Sequence, residues 1–308
     1  MSEALDIPVR YKRNRKIRLK LTDWCNLECP FCHSEGAAGA NDINVSDPSL
    51  LEALRYLRTY YDYIHLTGGE PTSYRHLDEA VEMARSLDFK IAMTSNGLFN
   101  LKRVQGIAAH LEYINISFHT ISPSYFESFV KSTGTSARII DAVSNNITAL
   151  TGTVPLRINT VISGSRNEQH LEFVHEFTER HSLPLKLVPD WRSNVASKKF
   201  AVDYLESHGF RPSEVIKIVP GSNIRRIFSH PERAPVELKD IEHFRPDFLC
   251  NGCTIMDKCV ESFSFLRIER SPAKFRLCIY KPELTREKFF TTFANHLAPL
   301  LEAEPWKA

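Results

Sequence analysis

The stretch 16-KIRLKLTDWCNLECPFC-32 joins an alternating apolar run to three closely spaced cysteines. In residues 16–22 every second side chain is apolar, which is typical of a β-strand with one buried face. Cys25, Cys29 and Cys32 follow in a C-x3-C-x2-C pattern on what we predict to be a loop. A strand that leads directly into three thiols indicates a metal or catalytic site at the carboxyl edge of a sheet.

Further short β-type runs follow along the chain and are separated by amphipathic helical patterns. We predict strands at 16–22, 63–67, 90–94, 113–118, 156–162 and 185–189. We predict helices from Ser46-Asp47-Pro48 onward and at roughly 76–87, 101–111, 136–150 and 168–181. This alternation favours an α/β fold with a parallel sheet, either doubly wound or curved into a partial (βα)6 TIM-like barrel.

The composition is that of an ordinary globular protein. Of 308 residues, 43% are hydrophobic and 25% are charged, which excludes disordered and fibrous classes. The net charge of +2, with both signs interspersed, argues against a nucleic acid polymer as partner. Since the sequence has neither the apolar core of a signal peptide nor an apolar stretch of membrane-spanning length, we expect a cytoplasmic protein without membrane contact.

The seven cysteines form two groups, and in a reducing compartment they are more typical of metal ligands than of disulfides. A structural zinc site needs four protein ligands, whereas three thiolates on an iron–sulfur cluster leave one iron open. The first group therefore favours such a cluster over zinc. The second group, with four thiols, could close a site around zinc or around an auxiliary [4Fe–4S] cluster. Its members are Cys250, Cys253, Cys259 and Cys278.

The first cysteine loop resembles that of the radical S-adenosylmethionine (SAM) superfamily, in which an aromatic residue, here Phe31, precedes the last cysteine. The resemblance implies that Cys25, Cys29 and Cys32 hold a [4Fe–4S] cluster whose open iron chelates the methionine part of SAM. Reductive cleavage of SAM would then give a 5′-deoxyadenosyl radical that abstracts hydrogen from the substrate. A flavodoxin- or ferredoxin-type electron donor is implied as a partner.

Three further motifs resemble those of the family and follow successive predicted strands. "TGGEPT" (67–72) resembles the GGE motif, which faces the methionine ammonium, and "TSNG" (94–97) lies where the family reaches the ribose and the methionine carboxylate. "INISFHT" (114–120) departs from the family at His119, where an aspartate is frequent; His119 either orients a ligand or satisfies a backbone carbonyl. The implied SAM contacts are Phe31, Gly68, Gly69, Glu70, Ser95, Asn96 and Ser117.

The segment 250-CNGCTIMDKCVESFSFLRIERSPAKFRLCIY-280 resembles the C-terminal cluster region of the GTP 3′,8-cyclase family. Its spacing also resembles SPASM and twitch domains of peptide-modifying radical enzymes. The resemblance implies a second [4Fe–4S] cluster, with "FLRIE" as a strand and "FRLCIY" as its return partner. The cyclase pattern has three cysteines here and this chain has four, which favours a fully ligated cluster over one that binds substrate.

Three arginines, Arg18, Arg157 and Arg267, lie where the cyclase family has cationic residues that face its nucleotide. They imply a small, anionic, nucleotide-like substrate in the biosynthesis of a cofactor or a specialised metabolite, because the guanidinium fork suits phosphate. Each arginine could instead be solvated or paired with a carboxylate. The ending "LEAEPWKA" lacks the Gly-Gly element of the cyclase tail, so we expect a relative with a different substrate. No catalytic side chain is identified.

Two other functions are compatible with the sequence. One is a peptide-modifying radical SAM enzyme, although roughly 15 residues before the first strand leave no room for a leader-binding domain. The other is a non-catalytic zinc protein in which both cysteine groups are structural. We divide the chain into an N-terminal extension (1–15), a radical SAM (βα)6 core (16–190), a connector (191–244) and a small auxiliary-cluster domain (245–308).

Overall fold

Twelve β-strands form one mixed sheet that curls into a half-barrel. The computed structural model describes residues 7–32, 41–131, 134–163, 168–242, 244–259, 263 and 266–303. The first six residues of the predicted N-terminal extension and the last five residues of the tail lie outside this described part. The partial barrel predicted from the sequence is confirmed.

Among the described residues, seven strands precede residue 190. They are β1 (Val9–Arg13), β2 (Lys16–Lys20), β3 (Tyr63–Thr67), β4 (Lys90–Ser95), β5 (Tyr113–Ser117), β6 (Leu156–Ile162) and β7 (Leu185–Pro189). From β2 to β7 the strands lie side by side in chain order and pair in parallel, as predicted. β1 was not predicted; it pairs with a later strand at the far edge.

In the part of this region that the structure describes, six α-helices accompany the strands. They are α1 (Pro48–Leu57), α2 (Leu77–Ser86), α3 (Leu101–Ala108), α4 (Pro123–Phe129), α5 (Ser136–Leu150) and α6 (Glu168–Arg180). α1 begins as predicted, because the Asp47 side chain accepts a hydrogen bond from the Ser49 amide and Pro48 occupies the first turn. α4 was missed, since seven residues are too few to show a helical period.

Residues 191–244, predicted as a connector with a possible helix at 200–207, add to the same sheet. They contain α7 (Asn194–Ser207), β8 (Arg211–Val219), β9 (Asn223–Ser229) and β10 (Val236–Ile241). β10 runs parallel to β7, β9 is antiparallel to both β10 and β8, and β1 completes this side by pairing in parallel with β8.

The C-terminal residues extend the opposite edge. They contain α8 (Asp247–Cys250), β11 (Leu266–Glu269), β12 (Lys274–Arg276), α9 (Arg286–Thr292), a π-helical stretch (Phe293–Leu297) and α10 (Ala298–Glu302). β11 pairs in parallel with β2 and antiparallel with β12, which confirms the predicted strand and return strand. None of the helices in the described ranges is long and apolar enough to cross a membrane.

The two faces of the sheet differ in polarity. On β2, Ile17 and Leu19 are completely buried, whereas Lys16 and its alternating neighbours are half-buried on the other face. Arg225 of β9 is close enough to Lys16 to lower its pKa, although six strands lie between β2 and β9 in the sheet. The sheet must therefore curl, and the charged face lines the inside of the half-barrel, which we call the lumen.

Candidate active site

A cavity of about 1040 Å³ opens at the carboxyl ends of the parallel strands. Its walls come from the segments that follow β2 to β7 and from the end of β10. Cys25, Cys29 and Cys32 all line it; the first two are half-buried and the third is exposed. Thiol and polar side chains from several strand ends therefore share one cavity.

The cysteine loop is compact and its three sulfurs influence one another. The Cys32 amide donates to the Cys29 carbonyl oxygen at 3.0 Å. Burial raises the pKa of Cys25, and burial together with the neighbouring Cys25 and Cys32 raises the pKa of Cys29 to about 12. Clustered buried thiols resist ionisation unless a cationic centre stabilises the thiolates, so this donor set fits an iron–sulfur cluster.

No three His, Cys, Asp or Glu side chains in the described part of the chain are gathered around a single metal-ion position. An iron–sulfur cluster does not require that arrangement, because each thiolate binds a different iron atom.

The two glycines of the GGE motif pack against the start of the cysteine loop. The Gly69 amide donates to the Thr22 carbonyl oxygen at 2.8 Å, and the Glu70 amide donates to the Trp24 carbonyl oxygen at 2.8 Å. A Cβ atom on Gly69 would lie 2.1 Å from the Trp24 oxygen, and one on Gly68 would lie 2.7 Å from the Thr22 oxygen. Only glycine permits this approach, which couples β3 to the loop that carries Cys25.

Glu70 is completely buried and joins the ends of β3 and β4. Its carboxylate accepts hydrogen bonds from the Thr72 amide (3.1 Å), the Thr72 hydroxyl (2.7 Å), the Ser95 hydroxyl (2.8 Å) and the Asn96 amide (2.7 Å). Burial raises the pKa of Glu70, and these donors oppose that shift. Two of the predicted SAM contacts, Glu70 and Ser95, are thus bonded to each other and fix the wall of the cavity.

Phe31 and His119 form the opposite wall. Their rings meet edge to face with centroids 4.9 Å apart, and Ser117 lines the cavity nearby. The His119 Nδ1 atom accepts a hydrogen bond from the Val161 amide at 3.1 Å, a contact that the sequence did not predict. Burial lowers the pKa of His119 to about 4. The ring is therefore neutral near pH 7, with its proton on Nε2.

The three arginines lie in the sheet and not around the cavity. Arg18 on β2 is directly opposite Arg267 on β11, and Arg267 is buried. The Arg157 guanidinium lies over the Tyr113 ring, 4.3 Å from its centroid. None of the three is among the described residues that line the cavity. They occupy rows of the sheet nearer the amino ends of the strands.

The second cysteine group lies in the C-terminal residues, with Cys250 at the end of α8 and Cys278 two residues after β12. Neighbouring Cys278, Cys259 and Cys253 add to burial in raising the pKa of Cys250. Cys278 is buried and the other three are half-buried. Four thiols can ligate all the irons of a [4Fe–4S] cluster, whereas zinc would need them around a single position, which the described residues do not form.

Several cavity or loop residues were not identified from the sequence. Trp191 donates from Nε1 to the Phe31 carbonyl oxygen at 3.2 Å, and Lys239 of β10 lines the cavity. Both belong to the segment for which no strand pattern was recognised. Asn26 bonds to the loop after β4; its position next to Cys25 was the one available signal.

Comparison with known proteins identifies the family. The model described as "Radical SAM superfamily" matches residues 19–177. A probable GTP 3′,8-cyclase of Saccharolobus solfataricus is 35% identical over 280 residues, covering 87% of this chain and 83% of that protein. A probable GTP 3′,8-cyclase of Saccharolobus islandicus is 36% identical over 162 residues, so in that match the chain spans about half (51%) of the relative.

Solved structures share the fold. Streptococcus suis SuiB bound to the precursor peptide SuiA matches with a TM-score of 0.51 at 14% identity, covering 64% of this chain and 47% of that one. At this identity the likeness concerns the fold alone. Because the family model matches half of its length and a relative of 35% identity matches most of it, this chain belongs to the radical SAM superfamily, whose members use a [4Fe–4S] cluster and SAM.

Proposed function

We propose that Cys25, Cys29 and Cys32 hold the [4Fe–4S] cluster and that SAM binds against the loops that follow β3, β4 and β5. When bound there, the two cofactors supply a 5′-deoxyadenosyl radical that abstracts hydrogen from the substrate. The observation that carries this proposal is that the three thiols share one cavity with Gly68–Glu70, Ser95–Asn96 and Ser117. In this arrangement Gly69 and Glu70 hold the walls in place.

The chain's own residues also keep the reaction space dry. The cavity wall includes the apolar side chains of Phe118, Phe126, Val161 and Val188. The first two are buried, and Phe126 is on α4, the helix that follows β5. Exclusion of water protects a reactive radical from side reactions.

The substrate that we propose is a small anionic molecule of the nucleotide type. Its support is the positive charge of the lumen, where Lys16 has a pKa lowered to about 7 by burial and by Arg225, Arg157, Lys186 and Arg18. Cations on four different strands thus face a common space. A polyanion would relieve their mutual repulsion, and the planar guanidinium groups suit phosphate.

One carboxylate offsets part of this charge. Glu237 of β10 pairs with Lys186 at the Nζ atom and with Arg225 at 3.5 Å, and its pKa is lowered by these cations against the effect of burial. The names of the relatives, probable GTP 3′,8-cyclases, agree with a nucleotide-like substrate. The cationic lumen favours this substrate over a peptide.

We propose that Cys250, Cys253, Cys259 and Cys278 bind a second [4Fe–4S] cluster. The support is the number and spacing of the thiols, together with the influence of Cys253, Cys259 and Cys278 on the pKa of Cys250 and the burial of Cys278 just after β12. Four thiolates satisfy every iron, so this cluster would transfer electrons or brace the fold instead of holding the substrate. A flavodoxin- or ferredoxin-type protein is the proposed electron donor, and Trp24, which is 53% exposed beside Cys25, offers it an apolar contact.

The test begins with anaerobic reconstitution. Wild-type protein should bind about eight irons per chain, as two [4Fe–4S] clusters require. Cys29→Ala should lose about four of them and form no 5′-deoxyadenosine from SAM. Retained 5′-deoxyadenosine formation in Cys29→Ala would contradict the assignment of the first group.

A second experiment tests the substrate class. Equilibrium binding should favour GTP over guanosine by at least about tenfold, because only the triphosphate meets the lumen cations. The double variant Arg18→Gln/Arg267→Gln should lose this preference while it still cleaves SAM without substrate. Arg85→Gln is the matched control, since Arg85 pairs with Glu82 on α2, outside the lumen. Equal affinity of wild-type protein for GTP and guanosine would refute the anionic substrate.

A further inference from the structure

Asn26, the residue after Cys25, is held to the loop that follows β4. Its side-chain oxygen accepts a hydrogen bond from the Asn96 amide group at 2.6 Å, and its Nδ2 atom donates to the Leu98 carbonyl oxygen at 2.8 Å. Both polar atoms of one side chain are therefore bonded to residues 96–98, about seventy positions away. The cysteine loop and the end of β4 move as one unit through this residue.

Asn96 is fixed in turn by three further contacts. Its backbone amide donates to Glu70 at 2.7 Å, and its side-chain oxygen accepts from the Leu98 amide at 2.9 Å. Because that oxygen faces a backbone N–H donor, the orientation of the side-chain amide is determined, and Nδ2 is the atom that faces Asn26. The same Nδ2 atom lies 3.7 Å from the Cys25 sulfur and donates to it.

The Cys25 sulfur therefore receives two N–H donors. The Leu27 amide donates at 3.4 Å and the Asn96 side chain at 3.7 Å. Hydrogen bonds to a ligating sulfur stabilise negative charge, and they are among the features that set the potential of iron–sulfur clusters. Since the reduced cluster carries more negative charge, such donors raise its reduction potential.

We propose that Asn26 is a positioning residue for the cluster: together with Asn96 it forms a clamp that fixes the Cys25 sulfur and directs a side-chain N–H onto it, which raises the reduction potential. The inference rests on the proposed function, because it takes Cys25 as a cluster ligand. In this proposal Asn96 donates a hydrogen bond to the Cys25 sulfur, in addition to the SAM contact expected from the sequence. Asn26 acts through Asn96 and need not touch SAM or substrate.

The test is a redox titration of reconstituted protein followed by electron paramagnetic resonance. The signal of the cluster at Cys25 is recognised as the one that changes when SAM is added, which separates it from the auxiliary cluster. We expect Asn26→Ala and Asn96→Ala each to lower the equilibrium constant for reduction about tenfold, which is about 59 mV for one electron. Because both act through one N–H···S bond, the double variant should show no further shift.

Asn100→Ala is the matched control. Asn100 is exposed in the same segment, and its side chain accepts from the Arg103 amide at the start of α3. Its loss should cost about 1 kcal/mol of stability as a helix cap, without any change in potential. A similar shift in Asn100→Ala would show that general loosening, and not the clamp, sets the potential.

If Asn26→Ala binds no iron, Asn26→Leu takes its place. Leucine adds no charge beside the cluster and keeps nearly the same side-chain volume, but it can neither accept from Asn96 nor donate to the Leu98 oxygen, so the clamp is lost. An unchanged potential in every iron-loaded Asn26 and Asn96 variant would overturn the inference alone. Wild-type protein without any SAM-sensitive signal would overturn the proposed function as well, so the two failures are distinguishable.

Discussion

At the scale of single residues, the absence of a side chain at Gly69 allows the cysteine loop to pack against the end of β3. Its backbone touches the loop so closely that a Cβ atom would lie 2.1 Å from the Trp24 oxygen and 2.4 Å from the carbon of the same carbonyl. Backbone atoms cannot move aside as the end of a flexible side chain can. The GGE motif, which the resemblance assigned to SAM, thus also has a packing role in this chain.

We therefore expect Gly69→Ala to push the loop away from β3 and to prevent iron loading. The unfolding free energy of the apo protein should fall by about 2 kcal/mol or more, as for other overpacked sites. Iron content after reconstitution and urea denaturation of the apo protein measure the two effects.

Gly106→Ala is the control for this prediction. Gly106 is on α3, and a Cβ atom there would meet nothing within 4 Å. Alanine at an open helical position should stabilise the protein by up to about 1 kcal/mol and leave iron loading unchanged. Normal iron loading in Gly69→Ala would show that the loop tolerates the displacement, contrary to our argument.

At the scale of secondary structure elements, α6 and α7 meet around a buried histidine. The side chain of His175 on α6 is 1% exposed, and its Nδ1 atom lies 3.4 Å from the Tyr204 hydroxyl of α7. Burial, with Arg233 nearby, lowers the pKa of His175 to about 4 against the attraction of Glu179. The neutral ring is therefore the form that the folded protein favours.

The lowered pKa of His175 makes the folded protein less stable at acidic pH. Between pH 6.5 and 4 the unfolded chain binds a proton on His175 that the folded protein excludes, so stability falls as the pH decreases through this range and is fully present above it. Each such histidine contributes at most about 1.4 kcal/mol per pH unit. Urea denaturation at pH 7.5 and pH 5 should show a smaller loss of stability for His175→Gln than for wild type.

His76→Gln serves as the control, because His76 is 45% exposed and pairs with Glu79 on the surface of α2. It should keep the wild-type dependence on pH. An identical loss of stability in wild type and His175→Gln would mean that His175 is not the titrating group.

The elements recovered from the sequence are those with a clear pattern. β3, β6 and β7 have their predicted bounds, because apolar residues fill the buried face and turn residues flank them. β9 was missed since Arg225 and Arg226 interrupt its alternation; one faces the lumen and the other pairs with Asp240. β10, "VELKDI", alternates only over its first four residues, because Asp240 takes a position on the buried face and Ile241 lies on the other face, so its pattern was too short to identify a strand.

At the scale of the whole molecule, the candidate site was predictable in part. The residues on one loop or at one strand end could be grouped because parallel strands bring their carboxyl ends together. The cations of the lumen could not be grouped, since Lys16 and Arg225 are 209 positions apart in the sequence and meet only through the curl of the sheet. Whether these two cations lie close together depends on strand order and register, which cannot be read from the sequence.

Because these lumen cations lie close together, we predict that the protein takes up protons when it binds an anionic ligand. In the free protein, Lys16 is half-buried among like charges, its Nζ donates to the Tyr113 hydroxyl, and its pKa is lowered to about 7. A polyanion in the lumen would favour the ammonium form and raise that pKa, so at pH 7.5 binding of GTP should take up most of one proton. Calorimetric titration in Tris and in HEPES, whose ionisation enthalpies differ, measures this uptake.

Lys16→Met should remove the larger part of the uptake. Lys186, with a pKa lowered to about 8 and held by Glu237, would account for the remainder. Lys90→Met is the matched control, since Lys90 lies over the same Tyr63 ring as Lys16, 5.8 Å from its centroid, but is exposed. Equal binding enthalpies for wild type in the two buffers would show that no lumen lysine changes its protonation, and that the anion binds elsewhere.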